Sequence, residues 1–113
     1  MLIYHMARDE DWQTLGPTGA YAGGAHDRRD GFIHFSNKDQ IVESADKHRA
    51  GEEGLLLLAV ETDELGDALR WEASRGGALF PHLYGPLPAA SVVWTLPLPL
   101  DAQGRHIFPE LSD

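Results

Sequence analysis

The stretch LLLLAVE, residues 55–61, decides the fold because it is the clearest buried strand in the chain. Its continuous apolar run predicts a strand that is covered on both faces and therefore lies at the centre of a sheet. Residues 19–25 are small and rich in glycine, and they predict either a weak strand or a loop that approaches a ligand closely. Residues 27–30 are predicted to form a charged turn. Other strands are predicted on both sides of the central one, at residues 2–6, 31–35, 69–73, 79–84 and 91–98.

Two helices are predicted in the N-terminal half of the chain. The first covers residues 8–15 and is ended by Gly16 and Pro17. The second covers residues 37–49, with Ser36 in the position of its N-cap. Because the helices gather early in the chain and the strands late, we expect an α+β fold with a mainly antiparallel sheet.

Composition limits the classes of function. The 113 residues fit a single domain, 1–113, whose polar segment 101–113 is expected to wrap the surface or to fray. With 18 acidic residues against 9 lysines and arginines, the net charge of -9 argues against a nucleic-acid partner. The chain has no cysteine, no apolar run long enough to cross a membrane and no signal-peptide pattern, so a cytoplasmic location is expected.

The segment GFIHFS, residues 31–36, is the strongest candidate for part of a site. In a strand, His34 and Ser36 project from one face, whereas Ile33 and Phe35 project from the other and can anchor the core. A histidine and a hydroxyl two residues apart can together hold one polar ligand. The alternative is that Ser36 only caps the following helix and that His34 packs against it.

Two more segments carry a histidine. In IYHM, residues 3–6, Tyr4 and His5 lie on opposite faces of the first strand, so the one that does not face the core faces a cleft or solvent. The alternative is that His5 is a structural histidine whose hydrogen bonds are satisfied inside the protein. FPHLYGPL, residues 80–87, contains two prolines that remove backbone donors, and it is therefore predicted to be a stiff loop around His82 and Tyr84. The alternative for that segment is an ordinary turn with a core tyrosine.

Glu72 is the candidate carboxylate, because its neighbours in the predicted strand 69–73 are mostly apolar; the alternative is a solvent-facing edge residue.

A zinc or iron site formed by His5, His34 and His82, with or without Glu72, is a second possibility. No pair of these histidines has the short ligand spacing that is typical of zinc motifs. The sequence also lacks a nucleophile elbow, a P-loop and a dinucleotide-binding glycine motif.

In order, the segments YHM, GFIHFS, LLLLAVE, WE and FPHLYGPL resemble the pattern of the DUF952 family of small bacterial proteins, over roughly residues 3–98. That family is similar to the ADP-ribosyltransferase superfamily, which includes the RNA 2′-phosphotransferase branch. The resemblance implies a split antiparallel sheet that grips NAD in the cleft between its halves.

The resemblance also implies roles for residues, and with them a small nucleotide, NAD, as the ligand and no metal. It places His5 at the NAD, His34 with Ser36 near the nicotinamide ribose, and Glu72 where an acidic residue aids transfer. The predicted catalytic residues are His34, Ser36 and Glu72, and the predicted NAD-binding residues are His5, His34, Ser36, His82 and Tyr84. Besides an NAD-utilising enzyme, the metal-dependent enzyme and a non-catalytic binding or interaction domain stay open, as does the oligomeric state.

Overall fold

The computed structural model describes residues 1–15 and 19–113, and within them the chain is an α+β protein with antiparallel sheets. Gly16 and Pro17, which were predicted to end the first helix, lie outside the described residues. The strands are β1 (Leu2–Arg8), β2 (Ala20–Tyr21), β3 (Ile33–His34), β4 (Leu55–Glu61), β5 (Leu69–Ala73), β6 (Leu79–Leu83), β7 (Leu87–Pro88) and β8 (Val92–Pro97). The α-helices are α1 (Asp9–Gln13), α2 (Ala25–Asp30) and α3 (Ile41–His48). Within this described part, no helix has the length and apolar character needed to span a membrane.

The strand β4 lies at the centre of a three-stranded sheet of order β1-β4-β8, as its apolar run predicted. Four consecutive side chains of β4, residues 57–60, are fully buried. The last strand, β8, lies at the edge of this sheet and ends at Pro97. An edge position suits proline because its missing N–H then costs no ladder hydrogen bond.

A second three-stranded sheet has the order β3-β6-β5, and β2 pairs with β7 in a small two-stranded sheet. The two larger sheets are joined at one bridge, where the N–H groups of Tyr4 and Ser36 each donate to the other residue's carbonyl, at 2.7 and 2.8 Å. This bridge brings β1 alongside the end of β3. The histidine segments IYHM and GFIHFS are therefore neighbours in space although about thirty residues separate them in sequence.

Two apolar clusters cover the opposite faces of the β1-β4-β8 sheet. One lies towards the other sheets and contains Ile3, Ala7, Tyr21, Ile33, Phe35, Leu58, Val60, Leu65, Leu83 and Leu87. The other contains Tyr4, Ile41, Leu55, Leu57, Ala59 and Leu98, with Phe108 and Leu111 of the C-terminal segment packed against it. As predicted from strand alternation, Ile33 and Phe35 are core residues.

The C-terminal segment is tied to the core through Tyr4, whose hydroxyl donates to the Ser112 carbonyl at 2.6 Å and accepts from the Ser112 amide at 3.1 Å. We expect Tyr4→Phe to lower the free energy of unfolding by about 1–2 kcal/mol, because both Ser112 groups lose their partner. Urea unfolding measures this cost, and Tyr84→Phe, at an exposed hydroxyl, is the matched control with a smaller expected loss. Equal losses in the two variants would contradict a stabilising role for the two hydrogen bonds between Tyr4 and Ser112.

The structure corrects three predictions about helices. There are three α-helices in the described residues and not two, because 25–30, predicted to contain only a charged turn, is helical and ends at Gly31 with φ of +86°. The helix predicted over 37–49 begins only at Ile41. Ser36 is not its N-cap, which is Gln40. The Asn37 side chain accepts the amides of Asp39 and Gln40 in the turn before the helix, and Ser36 belongs to the bridge with β1.

The strand predicted at 79–84 is confirmed as β6, whereas the stiff loop predicted for FPHLYGPL is wrong for most of that segment. Residues 79–83 form β6, the middle strand of its sheet, in spite of Pro81. The Pro81 carbonyl accepts from the Phe35 amide at 3.0 Å, and the missing N–H of Pro81 points to the same side, just where β3 has ended. The proline therefore removes a donor only at the end of the ladder.

Candidate functional site

A cleft of about 520 Å³ opens between α2, α3 and the junction of β1 with β3. Its volume is in the usual range for small-molecule sites. Five of the six histidines of the chain, all of them described, line it: His5, His26, His34, His48 and His82. Two arginines, Arg8 and Arg49, and two carboxylates, Asp27 and Glu52, belong to the same wall. The cleft is thus rich in cationic and titratable groups although the protein as a whole is strongly acidic.

His5 lies at the buried base of the cleft with a defined tautomer. One ring nitrogen, Nδ1, is 2.6 Å from the His34 carbonyl, which can only accept, so Nδ1 carries the proton. Burial lowers the pKa of His5, so the ring is neutral and Nε2 accepts from the Tyr21 hydroxyl at 2.9 Å. Burial likewise raises the pKa of Tyr21, and the nearby Asp27 raises it further. His5 and Tyr21 therefore form a neutral hydrogen-bonded pair.

Asp27 is a buried carboxylate that organises one wall. It accepts from the Gly24 amide at 2.8 Å, from the His34 amide at 3.0 Å and from His34 Nδ1 at 2.6 Å. Burial alone would raise the pKa of Asp27, but the hydrogen bonds from His34 and Gly24 outweigh it and hold that pKa far below its usual range. Asp27 is thus a fixed negative charge that connects α2 to β3.

His34 is held between two carboxylates of α2. Its Nδ1 contacts Asp27, and its Nε2 lies 3.0 Å from Asp30 Oδ2. Each ring nitrogen thus faces a carboxylate oxygen, which accepts a hydrogen bond from that nitrogen when it carries a proton. Two residues further on, Ser36 is buried and its hydroxyl lies 3.1 Å from that of Ser44 on α3.

A second histidine unit is built on β5 and β6. The Glu72 carboxylate accepts from His82 Nδ1 at 2.8 Å and from the Tyr84 hydroxyl at 2.7 Å, and these two bonds, Tyr84 first, lower the pKa of Glu72. The bond to Glu72 in turn raises the pKa of Tyr84. Phe32 stacks on the His82 ring, with centroids 4.0 Å apart. Glu72 and Phe32 together fix the orientation of His82, and Nε2 is the nitrogen that Glu72 does not engage.

The predicted site residues divide into two groups. His5, His34, Ser36 and His82 line the one cleft, because the Tyr4–Ser36 bridge and the pairing of His34 with His82 across β3 and β6 bring them together. Glu72 and Tyr84 are outside the residues that line it. Glu72 instead accepts a hydrogen bond from His82, and Tyr84 donates to the same carboxylate.

Sequence reasoning missed both carboxylates that line the cleft, Asp27 and Glu52, of which Asp27 is bonded to His34. The segment AHDRRDG, residues 25–31, carries a helix signal, because a glycine after a short polar run commonly ends a helix. In the structure, the Asp27 side chain accepts the amide of Gly24 at the N-terminus of that helix. Asp27 was assigned to a charged turn instead. A buried role for it depends on contacts with β1 and β3 that no local pattern reports.

The metal set proposed from sequence, His5, His34 and His82, does not converge. Both ring nitrogens of His5 are engaged inside the protein, those of His34 face Asp27 and Asp30, and His82 Nδ1 is bonded to Glu72. Across residues 1–15 and 19–113, the group of three histidine and carboxylate side chains whose ligand atoms all lie within 4.8 Å of one another is His26, Asp30 and His34.

Comparisons with known proteins agree with this architecture. The family model described as "Protein of unknown function (DUF952)" matches residues 6–95. The crystal structure of protein CC0527 from Caulobacter crescentus is similar at a TM-score of 0.90 and 46% identity, over 95% of this chain and 94% of that one. The solution NMR structure of CC0527 is similar at a TM-score of 0.81 and 47% identity, over 92% and 90% of the two chains. No curated protein matches the chain.

Proposed function

Since the chain belongs to the DUF952 family, whose function is unknown, we propose from the cleft itself that this protein binds an anionic nucleotide, with NAD as the first candidate, and transfers its ADP-ribosyl group. The observation that supports the proposal is the gathering of five of the six histidines, all within the described residues, around one cleft of about 520 Å³. The choice of NAD over other nucleotides rests on the resemblance to the ADP-ribosyltransferase superfamily.

The cleft holds the hydrogen-bond donors that an anionic ligand needs, although Asp27 and Glu52 match the charge of its two arginines. A protein of net charge -9 repels a pyrophosphate over most of its surface, so binding needs a local group of donors. Arg8 and Arg49 supply two fixed cations, of which Arg49 is held by Glu52 through bonds of 2.8 and 3.1 Å. The histidines add neutral or cationic donors around them.

The same wall offers groups for glycosyl transfer. When the nicotinamide–ribose bond breaks, its electron pair leaves with nicotinamide and positive charge develops on the ribose. A fixed anion in a partly buried cleft stabilises that charge, and Asp27 is such an anion. We assign this role to Asp27 and not to Glu72, which does not line the cleft.

His82 is the candidate general base. The acceptor, water or a nucleophile on another molecule, bonds to the ribose carbon and must lose a proton. With Nδ1 donating to Glu72, His82 keeps Nε2 as the atom that can take that proton. Glu72 and Tyr84 then act on the reaction only through the position of His82.

Isothermal titration of the EDTA-treated protein with NAD, ADP-ribose and nicotinamide tests the proposal. We expect NAD and ADP-ribose to bind, and His82→Gln to weaken NAD by about tenfold or more, the effect of losing one hydrogen bond to a charged or polar ligand group. The matched control is His106→Gln, because His106 is the one histidine of the described chain outside the cleft. A melting curve verifies that each variant is folded. No heat with any of the three ligands at millimolar concentration would overturn the proposal.

Binding without turnover is a separate outcome. Release of nicotinamide from NAD, followed by chromatography, measures the transfer step. If NAD binds but no nicotinamide appears with water or with other acceptors, the non-catalytic binding domain replaces the enzyme.

A further inference from the structure

Three potential metal ligands meet at the mouth of the cleft, and they are not the three that sequence reasoning selected. His26 and Asp30 lie one turn apart on α2, and His34 follows four residues later on β3. His34 Nε2 is 3.0 Å and His26 Nε2 is 3.5 Å from the same oxygen, Asp30 Oδ2. The two imidazole rings are tilted by 41° to each other, with centroids 4.7 Å apart.

We propose that His26, Asp30 and His34 form a binding site for one divalent transition-metal cation of the zinc class. Their ligand atoms lie within 4.8 Å of one another, so small side-chain rotations bring all three to one ion. Imidazole nitrogens and a carboxylate oxygen suit zinc, iron, cobalt or nickel better than magnesium or calcium, which prefer oxygen ligands alone.

An independent feature behind the cluster supports the proposal. Asp27, which is not one of the three ligands, is buried and accepts from His34 Nδ1 at 2.6 Å. Metal-binding histidines commonly donate their second nitrogen to a carboxylate in this way, which fixes the ring and raises its basicity. The bond to Asp27 thus leaves His34 Nε2 as the nitrogen that can bind the metal. On binding, the metal lies between His34 Nε2 and Asp30 Oδ2, which now contact each other directly.

The site also has the form that leaves a metal open to other ligands. Three protein ligands leave at least one coordination position for water or a substrate atom, as in catalytic zinc sites. His26 and His34 both line the cleft, so a bound cation lies at its wall. One contact has to change on binding: Arg29 Nη2, on a largely exposed side chain, lies 2.8 Å from His26 Nδ1 and must release it.

The test is a titration of Zn²⁺ into the metal-free protein, prepared without a histidine tag. We expect one Zn²⁺ per chain, a rise in the melting temperature and little response to Mg²⁺. His26→Gln and Asp30→Asn are each expected to weaken Zn²⁺ binding by about tenfold or more. Both residues are on the surface, so these variants keep the fold. His48→Gln, at another cleft histidine, and Asp67→Asn, at another exposed carboxylate, are the controls and should bind as the wild type does.

Two results would overturn the site. One is the absence of stoichiometric Zn²⁺ binding to the wild-type protein. The other is binding that survives His26→Gln and Asp30→Asn but is lost in His82→Gln, which would move the metal to the set His5, His34 and His82. Because NAD binding is measured on EDTA-treated protein, failure of the metal site leaves the nucleotide proposal standing, and the reverse also holds.

Discussion

Replacement of Asp27 by alanine is expected to lower the free energy of unfolding by about 3 kcal/mol at neutral pH. The carboxylate is buried and accepts three hydrogen bonds from Gly24 and His34, so its loss leaves partly buried donors without a partner. Urea unfolding measures the change. Asp67→Ala, at an exposed carboxylate, is the control and should have little effect.

The same residue makes a prediction about pH. The folded-state pKa of Asp27 lies below its unfolded value, which is about 3.9. The stability that Asp27 contributes is therefore complete at neutral pH and is lost as the pH falls through the unfolded value towards the folded one. We expect the wild-type protein to lose more stability than Asp27→Asn between neutral pH and about pH 3. Parallel pH profiles for the two proteins would contradict the assigned role of the carboxylate.

Replacement of Gly23 by alanine is the second large effect, with an expected cost of about 2–4 kcal/mol. Gly23 has φ of +90°, a conformation that residues with a side chain rarely adopt. An added Cβ would also lie 2.7 Å from the Asp27 Cβ and 3.1 Å from its Oδ2. The variant therefore has to displace Asp27 from His34, and we expect it to weaken NAD and Zn²⁺ as well as the fold.

Gly31→Ala separates the two causes. Gly31 has nearly the same φ, +86°, but an added Cβ there meets nothing within 4 Å. Its expected cost is the backbone strain alone, about 1 kcal/mol. The difference between the two variants in urea unfolding measures the contact with Asp27. If both alanine variants lose the same free energy of unfolding, the close contact between position 23 and Asp27 does not contribute to the cost.

The sequence was sufficient for the main sheet and insufficient for the connections between sheets. Strand β4 was predicted with its correct bounds because a continuous apolar run reports burial on both faces. The alternation in GFIHFS also placed Ile33 and Phe35 correctly in the core. The strand containing Pro81 was predicted at 79–84, but its central place in a sheet was not. The cost of a missing N–H depends on which side of the strand still has a partner, and that is a property of the assembled sheet.

The cleft was predicted only in part for a similar reason. His5, His34, Ser36 and His82 were selected, and all four line the cleft. Asp27 was not, because its role comes from bonds to the backbone and ring of His34, seven residues away, which are set by the packing of α2 on β3. Glu72 was selected as a cleft residue, but β5 directs it towards His82 and Tyr84, outside the lining.

Nuclear magnetic resonance of the histidine rings during a titration with NAD tests the central claim most directly, because the six ring signals report on the cleft and on one outside site. We predict that the signals of the five cleft histidines shift with a common saturation curve, while the signal of His106 stays in place. His106 is a suitable internal reference, since it is buried against the Glu52 carbonyl at 2.8 Å and does not line the cleft. Unchanged cleft signals at millimolar NAD, or shifts confined to His106, would contradict the claim.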